Sequence, residues 1–327
     1  MDTTECSPTS WTPRRKRKRL YFIYSDYTIG WIYALPETEL VAAMAMLDEI
    51  HPVLPVTNPQ DANTYVLGRI HDHNVVIACL PEGEIGKVSA ATVAKDMTRS
   101  FPAVRFGLMV GIGGGAPYYG AQGNESEVKE ENSKDDTEDI RDIRLGNVII
   151  SLYSKLSDAV VQYDFRKLLQ EKEFVLSSGK LNKPSNIVLG TVGTLRAHHK
   201  LYRHKICETL SELLIFTHSE GHKSCQNCCG LIDSNLVKRK DCSDNLSRLH
   251  YGIIGSADRA REENIICFEM EAAGLMDSFP CLIIRGICDY ADSYKNKIWQ
   301  LYSVATAVLY ARELLLVVSG QGVVNMD

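Results

Sequence analysis

The chain has 327 residues, of which 45% are hydrophobic and 24% are charged, and its formal net charge at pH 7 is −5. These proportions are typical of a folded globular protein, and the negative net charge argues against a dedicated nucleic-acid binder. The sequence contains no apolar run of the roughly 18 residues that a membrane span needs, and no apolar signal core precedes the basic cluster near its start.

Short apolar runs alternate with helical patterns along most of the chain. YTIGWIYAL predicts a strand, followed by a helix in ETELVAAMAMLDEI; HNVVIACL predicts a strand, followed by a helix in GKVSAATVAKDMTRSF. FGLMVGIGGG predicts a strand that runs into a glycine turn, and GNVIISLYS, HYGIIGSA and CLIIRGICDYAD predict further strands before a long helix in WQLYSVATAVLYARELLLVV. This alternation predicts an α/β fold with a largely buried sheet, in which binding sites gather at the carboxyl ends of strands.

Three segments depart from the alternation. Residues 1–27 are predicted to form a disordered tail whose basic cluster begins at Arg14 and ends at Arg19. This cluster is interpreted either as a nuclear-import signal or as a solvated charged tail. Residues 121–142 are acidic and lack apolar periodicity, which predicts a disordered surface insertion. Residues 218–248 are rich in cysteine, and residues 320–327 are predicted to form a C-terminal tail.

The cysteines indicate a reducing compartment, because the sequence has ten of them and no secretory signal. We therefore expect an intracellular, cytoplasmic protein. Cys225 and Cys228 have the spacing of half a zinc site, and Cys229 and Cys242 are nearby in the sequence. Since a full site needs four ligands and no second Cys-x-x-Cys pair is present, an exposed thiol cluster is favoured over a structural zinc site.

Several carboxylates follow predicted strands. IICFEMEAAGLM places Glu269 and Glu271 in an apolar run, although burying an ionised carboxylate is costly unless it is matched. Asp289 directly follows the run CLIIRGIC, where partial desolvation would suit a general acid. Glu39 lies early in the first predicted helix. For each of them a helix-capping role stays open, and for Glu39 also a solvated one.

Together these motifs resemble the purine nucleoside phosphorylase and nucleosidase superfamily, especially its fungal members and the related methylthioadenosine/S-adenosylhomocysteine nucleosidases. The resemblance rests, in chain order, on IGWIYALPETEL, GEIGKVSAATVA, FGLMVGIGGGAP, IRLGNVIIS, HYGIIGSADRA, FEMEAAGLM and RGICDYAD. It implies one catalytic α/β domain over residues 28–319, with a mixed central sheet partly closed into a barrel and flanked by helices. It also implies a homo-oligomer that binds a purine nucleoside or nucleotide and needs no cofactor.

The resemblance also implies roles for individual residues. Glu271 would accept hydrogen bonds from two ribose hydroxyls, with Met270 as an apolar floor for the sugar and Glu269 as a supporting or merely structural residue. Asp289 would protonate the purine at N7 as the glycosidic bond breaks. The remaining substrate-binding positions, which would border the base and sugar, are Gly111, Gly113, Gly114 and Ser256.

The choice of nucleophile separates the two branches of the superfamily. The resemblance implies that Glu39 activates water, with Glu37 as the close alternative. The bacterial hexameric phosphorylases carry an arginine just before the glycine segment, where this chain has Met109 and Val110. We therefore expect a purine nucleosidase. A phosphorylase with phosphate as co-substrate is the runner-up, because Arg144 could reach a phosphate, and an inactive nucleoside-sensing module is a third alternative.

Overall fold

The computed structural model describes residues 21–55, 58–117, 142–153, 159–162, 166–168, 174–176, 181–212, 247–256, 265–276, 278–291 and 297–326. The basic cluster at residues 14–19 lies outside these ranges, as do nearly all of the acidic insertion and the cysteine-rich segment. The proposed zinc ligands Cys225, Cys228, Cys229 and Cys242 also lie outside the described residues. The interpretations of these segments therefore stay predictions.

Strands form the centre of the described structure. They are β1 (Ile29–Tyr33), β2 (Glu49–Ile50), β3 (Tyr65–Ile70), β4 (His73–Cys79), β5 (Phe106–Gly115), β6 (Val148–Ser151), β7 (Val160–Gln162), β8 (Arg166–Leu168), β9 (Phe174–Leu176), β10 (Leu249–Ser256), β11 (Ile265–Glu269) and β12 (Cys281–Asp289). The α-helices are α1 (Val41–Ala45), α2 (Lys87–Ser100), α3 (Asn186–Tyr202), α4 (Ile206–Glu212), α5 (Ala272–Met276), α6 (Gln300–Val317) and α7 (Gly320–Val324). None of these helices is long and apolar enough to cross a bilayer, in the part of the chain that the structure describes.

The main sheet is mixed and partly closed. β12 pairs in parallel with β5 on one side and antiparallel with β6 on the other, and β10 pairs in parallel with both β6 and β11. The end of β5 returns to β11 in antiparallel pairing, which closes the ring β5–β12–β6–β10–β11. From β5 the sheet continues as β1, β4, β3 and β2. The expected mixed sheet with a partly closed barrel is therefore confirmed.

Helices cover both faces of the sheet, which explains why its central strands β1, β5 and β12 are buried along nearly their whole length. Along β1, Trp31 packs into the core cluster that contains the apolar side of α6, and Ile32 packs into the second cluster, which contains α2 and α5. All five residues of β1 are buried, as are eight of the nine residues of β12. Continuous apolar runs thus mark strands that are buried on both faces.

The structure corrects two predicted elements. The first predicted helix begins as a π-helical turn at Pro36–Leu40, continues as the short α1, and is followed by β2 at Glu49–Ile50. Proline suits the start of that helix because it lacks an N–H donor. The predicted glycine turn is instead the end of β5, which stays extended through Gly115 because β12 and β11 pair with it.

The packed structure also extends past the predicted domain limits. Tyr27, assigned to the disordered tail, is fully buried, and its hydroxyl lies 3.0 Å from Nδ1 of His51. At the other end, the predicted C-terminal tail contains α7, whose Val323 is fully buried. In both places apolar contacts with the core stabilise residues that have no periodic pattern long enough to reveal them.

A methyl group added at Gly286 is expected to destabilise the fold, because β12 and α6 touch there. A Cβ at this position would lie 1.7 Å from the carbonyl oxygen of Ser303. We expect Gly286→Ala to reduce the free energy of unfolding by about 1–3 kcal/mol, measured by urea denaturation.

The matched control is Gly193→Ala, in the interior of α3, where an added Cβ meets nothing within 4 Å. This variant should gain roughly 0.5–1 kcal/mol through helix propensity. Equal effects of the two substitutions would contradict the close approach of β12 to α6.

Candidate active site

Arg285 lies at the centre of a group of buried carboxylates. Its Nη2 is 2.6 Å from Oε2 of Glu269 and 3.5 Å from Oε2 of Glu271, and it also donates to Sδ of Met109 at 3.1 Å. Among the described residues Arg285 is the only buried lysine or arginine, with 1% of its surface exposed. We call Arg285, Glu39, Glu269 and Glu271 the carboxylate–arginine cluster.

Glu39 joins the cluster from the π-helical turn. Its Oε2 accepts hydrogen bonds from the backbone N–H groups of Ala34 at 2.7 Å and Leu35 at 2.9 Å, and its Oε1 accepts one from Ile112 at 2.9 Å. The carboxylate therefore connects the carboxyl end of β1 to β5, and it is only 2% exposed. The interpretation of Glu39 as a solvated residue is therefore wrong. Glu37, in contrast, is exposed.

Gly111 makes room for this arrangement. A Cβ at Gly111 would lie 2.2 Å from Oε1 of Glu39 and 2.6 Å from Nη1 of Arg285. Because glycine has no side chain, the carboxylate and the guanidinium can both lie directly against β5. This contact gives Gly111 a structural role. Its predicted role at the border of the substrate stays a prediction.

Glu269 and Glu271 enter the cluster where β11 passes into α5. Oε2 of Glu269 accepts from the backbone N–H groups of Glu271 at 3.0 Å and Ala272 at 2.9 Å. Glu271 is held less tightly, since its Oε2 accepts a long bond of 3.4 Å from the N–H of Met270. Met270, which lies between Glu269 and Glu271 in the sequence, is partly buried.

Burial raises the pKa of two carboxyl groups of the cluster, Glu271 and Glu39. It raises the pKa of Glu271 from its ordinary value of 4.5 to about 7, and the negative charge of Glu269 adds to this effect while Arg285 opposes it. Burial also raises the pKa of Glu39, although Arg285 and the three backbone donors act in the opposite direction. The site can therefore exchange a proton near neutral pH.

The raised pKa of Glu271 predicts a pH-dependent stability. A carboxyl whose pKa is higher in the folded than in the unfolded state stabilises the fold most below about 4.5, and this contribution falls as the pH rises to about 7. In Glu271→Gln the side chain cannot titrate. Urea denaturation of wild type and of Glu271→Gln at each pH gives the difference between their free energies of unfolding. We expect this difference, wild type minus variant, to decrease as the pH rises from about 4.5 to about 7. A difference that stays constant or increases would contradict the raised pKa.

Asp289 ends β12, at the same edge of the sheet as the cluster. Its Oδ1 accepts from the N–H of Ala291 at 2.8 Å, and Sγ of Cys288 lies 3.5 Å from its Oδ2. The carboxylate lies against β5, since a Cβ at Gly114 would be 2.9 Å from Oδ1 of Asp289. Gly113 is equally confined, because a Cβ added there would lie 2.6 Å from Sγ of Cys267.

Two other predicted residues have partners within the fold. Ser256, at the end of β10, is fully buried, and its Oγ accepts from the N–H of Ala273 at 3.2 Å. It therefore supports the first turn of α5, which follows Glu271. Arg144, the possible phosphate ligand, lies 2.7 Å from Asp142. The structure thus brings Glu39 and Glu271 together around Arg285, with Asp289 on the same strand as Arg285.

Sequence reasoning missed Arg285. Its signal was present, because Arg285 is a single charge within the apolar run CLIIRGIC, as Glu269 is within IICFE. Two opposite charges in two buried strands indicate a matched internal pair. Within the ranges that the structure describes, no group of three or more His, Cys, Asp or Glu side chains has an arrangement that could hold a metal ion.

Comparisons with known proteins identify the class of fold. The chain aligns with the 5′-methylthioadenosine/S-adenosylhomocysteine nucleosidase of Helicobacter pylori in complex with butyl-thio-DADMe-Immucillin-A, with a TM-score of 0.54, 15% identity, and coverage of 90% of this chain and 99% of that one. It aligns with futalosine hydrolase of the same organism with a TM-score of 0.51, 15% identity, and coverage of 89% and 97%. The chain therefore has the fold of these two proteins, in agreement with the fold that the resemblance implied.

A relative in sequence is the nucleotide-binding leucine-rich repeat (NLR)-like protein of Hyaloscypha variabilis. It is 39% identical over 322 residues, which cover 90% of this chain but 30% of that protein. The chain thus corresponds to less than a third of this relative. No protein-family model matches the chain.

Proposed function

We propose that the chain is a purine nucleosidase, which uses water to cleave the N-glycosidic bond of a purine nucleoside or nucleotide. The observation that carries this proposal is the burial of Glu39 beside Arg285, in the group that also contains Glu271. A buried carboxylate whose pKa is raised can accept a proton from water. In this reaction Glu39 activates the water, and neither a metal nor an organic cofactor is needed.

The other residues divide the remaining work. Glu271 accepts the two ribose hydroxyls, which a carboxylate with two acceptor oxygens can bind together. Asp289 protonates N7 of the purine, because a neutral base leaves more readily than an anion. Met270 contacts the sugar, and the backbone of β5 borders the ligand at Gly113 and Gly114.

Charge favours water over phosphate as the nucleophile. Three carboxylates surround one guanidinium, and the shortest ion pair of Arg285 is already made with Glu269. Phosphate would approach carboxylates at short range, where repulsion in a buried site is strong. The oxocarbenium-like sugar of the transition state is positive and gains from the same charges.

The test is product analysis with the purified chain. The substrates are adenosine, inosine, adenosine monophosphate, methylthioadenosine, S-adenosylhomocysteine and futalosine, each with and without phosphate. We expect free base and the free ribose, or the 5′-substituted ribose of the substrate, without phosphate. Ribose 1-phosphate formed only with phosphate would replace the proposal by a phosphorylase. An Asp289→Asn protein purified in parallel excludes a contaminating host nucleosidase, because the contaminant would be present in both preparations.

A further inference from the structure

Glu269 has no task in the proposed reaction, yet it contacts both Arg285 and Glu271, the residue that binds the ribose hydroxyls in that reaction. A single oxygen, Oε2, accepts from the backbone N–H of Glu271 at 3.0 Å and from Nη2 of Arg285 at 2.6 Å. The same oxygen accepts from the N–H of Ala272 at 2.9 Å. Glu269 thus joins the first residues of the β11–α5 connection to the guanidinium from β12.

The second oxygen of Glu269 is buried as well. Within the described residues, no donor lies within hydrogen-bond distance of Oε1, although this atom is buried. The side chain is only 1% exposed.

The position of Arg285 determines what Glu271 can bind. Arg285 is 2.6 Å from Glu269 but 3.5 Å from Glu271, so the guanidinium is held on the Glu269 side. Without the charge of Glu269, the carboxylates that remain near Arg285 among the described residues are Glu271 and Glu39. A guanidinium bound directly to Glu271 would occupy the acceptor oxygens that two hydroxyls need.

We propose that Glu269 is a positioning residue, which fixes the backbone of Glu271 and holds Arg285 away from the Glu271 carboxylate, so that this carboxylate accepts the sugar diol. This role rests on the proposed nucleosidase function. In the part of the chain that the structure describes, the charged groups that face Glu271 are Glu269 from β11, Arg285 from β12 and Glu39 from the π-helical turn. Neutralising Glu269 therefore changes both the geometry and the charge around Glu271.

The test compares Glu269→Gln with wild type. Glutamine keeps an oxygen that can accept from the N–H groups of Glu271 and Ala272, but it does not attract Arg285 by charge. We expect KM for the nucleoside to increase about tenfold or more, because hydrogen bonds to a charged group are lost. We also expect the acidic limb of the kcat/KM profile to move to lower pH, since a negative neighbour of Glu271 is removed and Arg285 moves closer.

Two further variants separate positioning from a merely structural role. Glu269→Asp keeps the charge, so the acidic limb should stay closer to its wild-type pH than in Glu269→Gln. Glu49→Gln removes a carboxylate from the surface pair with Arg69 at 3.2 Å and should change neither KM nor the limb. A Glu269→Gln protein with the wild-type KM and an unmoved acidic limb would overturn the proposal. A loss of activity that is fully explained by the unfolded fraction of this variant would also overturn it.

A measurement without turnover distinguishes this proposal from the proposed function. The carboxyl carbon of Glu271 can be titrated by ¹³C NMR and assigned by its disappearance in Glu271→Gln. We expect the titration to move to lower pH in Glu269→Gln whether or not the chain is an enzyme, and an unmoved titration overturns the positioning role. Wild type that turns over no nucleoside overturns the nucleosidase function alone.

Discussion

Replacing Asp289 with asparagine is expected to slow purine release by about 10²–10⁴-fold, the usual contribution of a general acid. The substitution should leave the fold intact, because the asparagine Oδ1 can still accept from the N–H of Ala291 as Asp289 does at 2.8 Å. Base release at saturating nucleoside, followed by chromatography, measures the effect. Because asparagine keeps the hydrogen bond at the end of β12 but is not a general acid, the substitution tests proton donation alone.

The substrate provides a second test of this role. A purine nucleoside already methylated at N7 releases a neutral base without protonation, so the loss in Asp289→Asn should be much smaller with it. The matched control is Cys288→Ser, which changes the neighbouring side chain and should keep a rate near that of wild type. Equal losses on methylated and unmethylated nucleosides would exclude Asp289 as the acid.

Removal of the buried guanidinium is expected to have the largest effect on stability. In Arg285→Leu, Glu39, Glu269 and Glu271 would remain without the cation that matches them, and breaking a buried pair in this way costs about 3–5 kcal/mol. Part of the loss should be recovered at lower pH, where the carboxylates become protonated. Urea denaturation at neutral and acidic pH measures both effects.

Arg312→Leu is the matched control for this substitution. Arg312 also forms an ion pair, with Asp48 at 2.8 Å, but both side chains are partly exposed. A surface pair contributes about 0–1 kcal/mol, so this variant should be nearly as stable as wild type. If Arg285→Leu lost no more stability than Arg312→Leu, the buried cluster would not depend on its cation.

The sequence predicted those parts of the fold that are buried on both faces. β1, β4 and β12 were recognisable because burial on both faces favours continuous apolar runs. The helices α2 and α6 were recognisable by the helical spacing of their apolar residues. The glycine segment was misassigned as a turn, since glycine is usually associated with conformational freedom. Glycine is needed in this segment because of residues distant in sequence: the side chains of Glu39 and Asp289 occupy the space beside Gly111 and Gly114.

The candidate site was predictable where charge interrupts an apolar run. Glu269 and Glu271 stand out for this reason, and Arg285 was overlooked although it has the same signal. Which of Glu37 and Glu39 points inward could not be derived from helical periodicity, because both lie in a π-helical turn. The closure of the barrel was implied by the resemblance and depends on pairing between β5 and β11, which no local pattern encodes.

The central place of β12 has a consequence for the order of events during synthesis. β12 lies between β5 and β6, although it is the last of the described strands to leave the ribosome. Until then two apolar strands have unpaired edges, which favours slow folding and makes a nascent chain prone to aggregation. The same strand brings Arg285 and Asp289, so a chain that stops before residue 281 has neither a complete sheet nor the proposed chemistry.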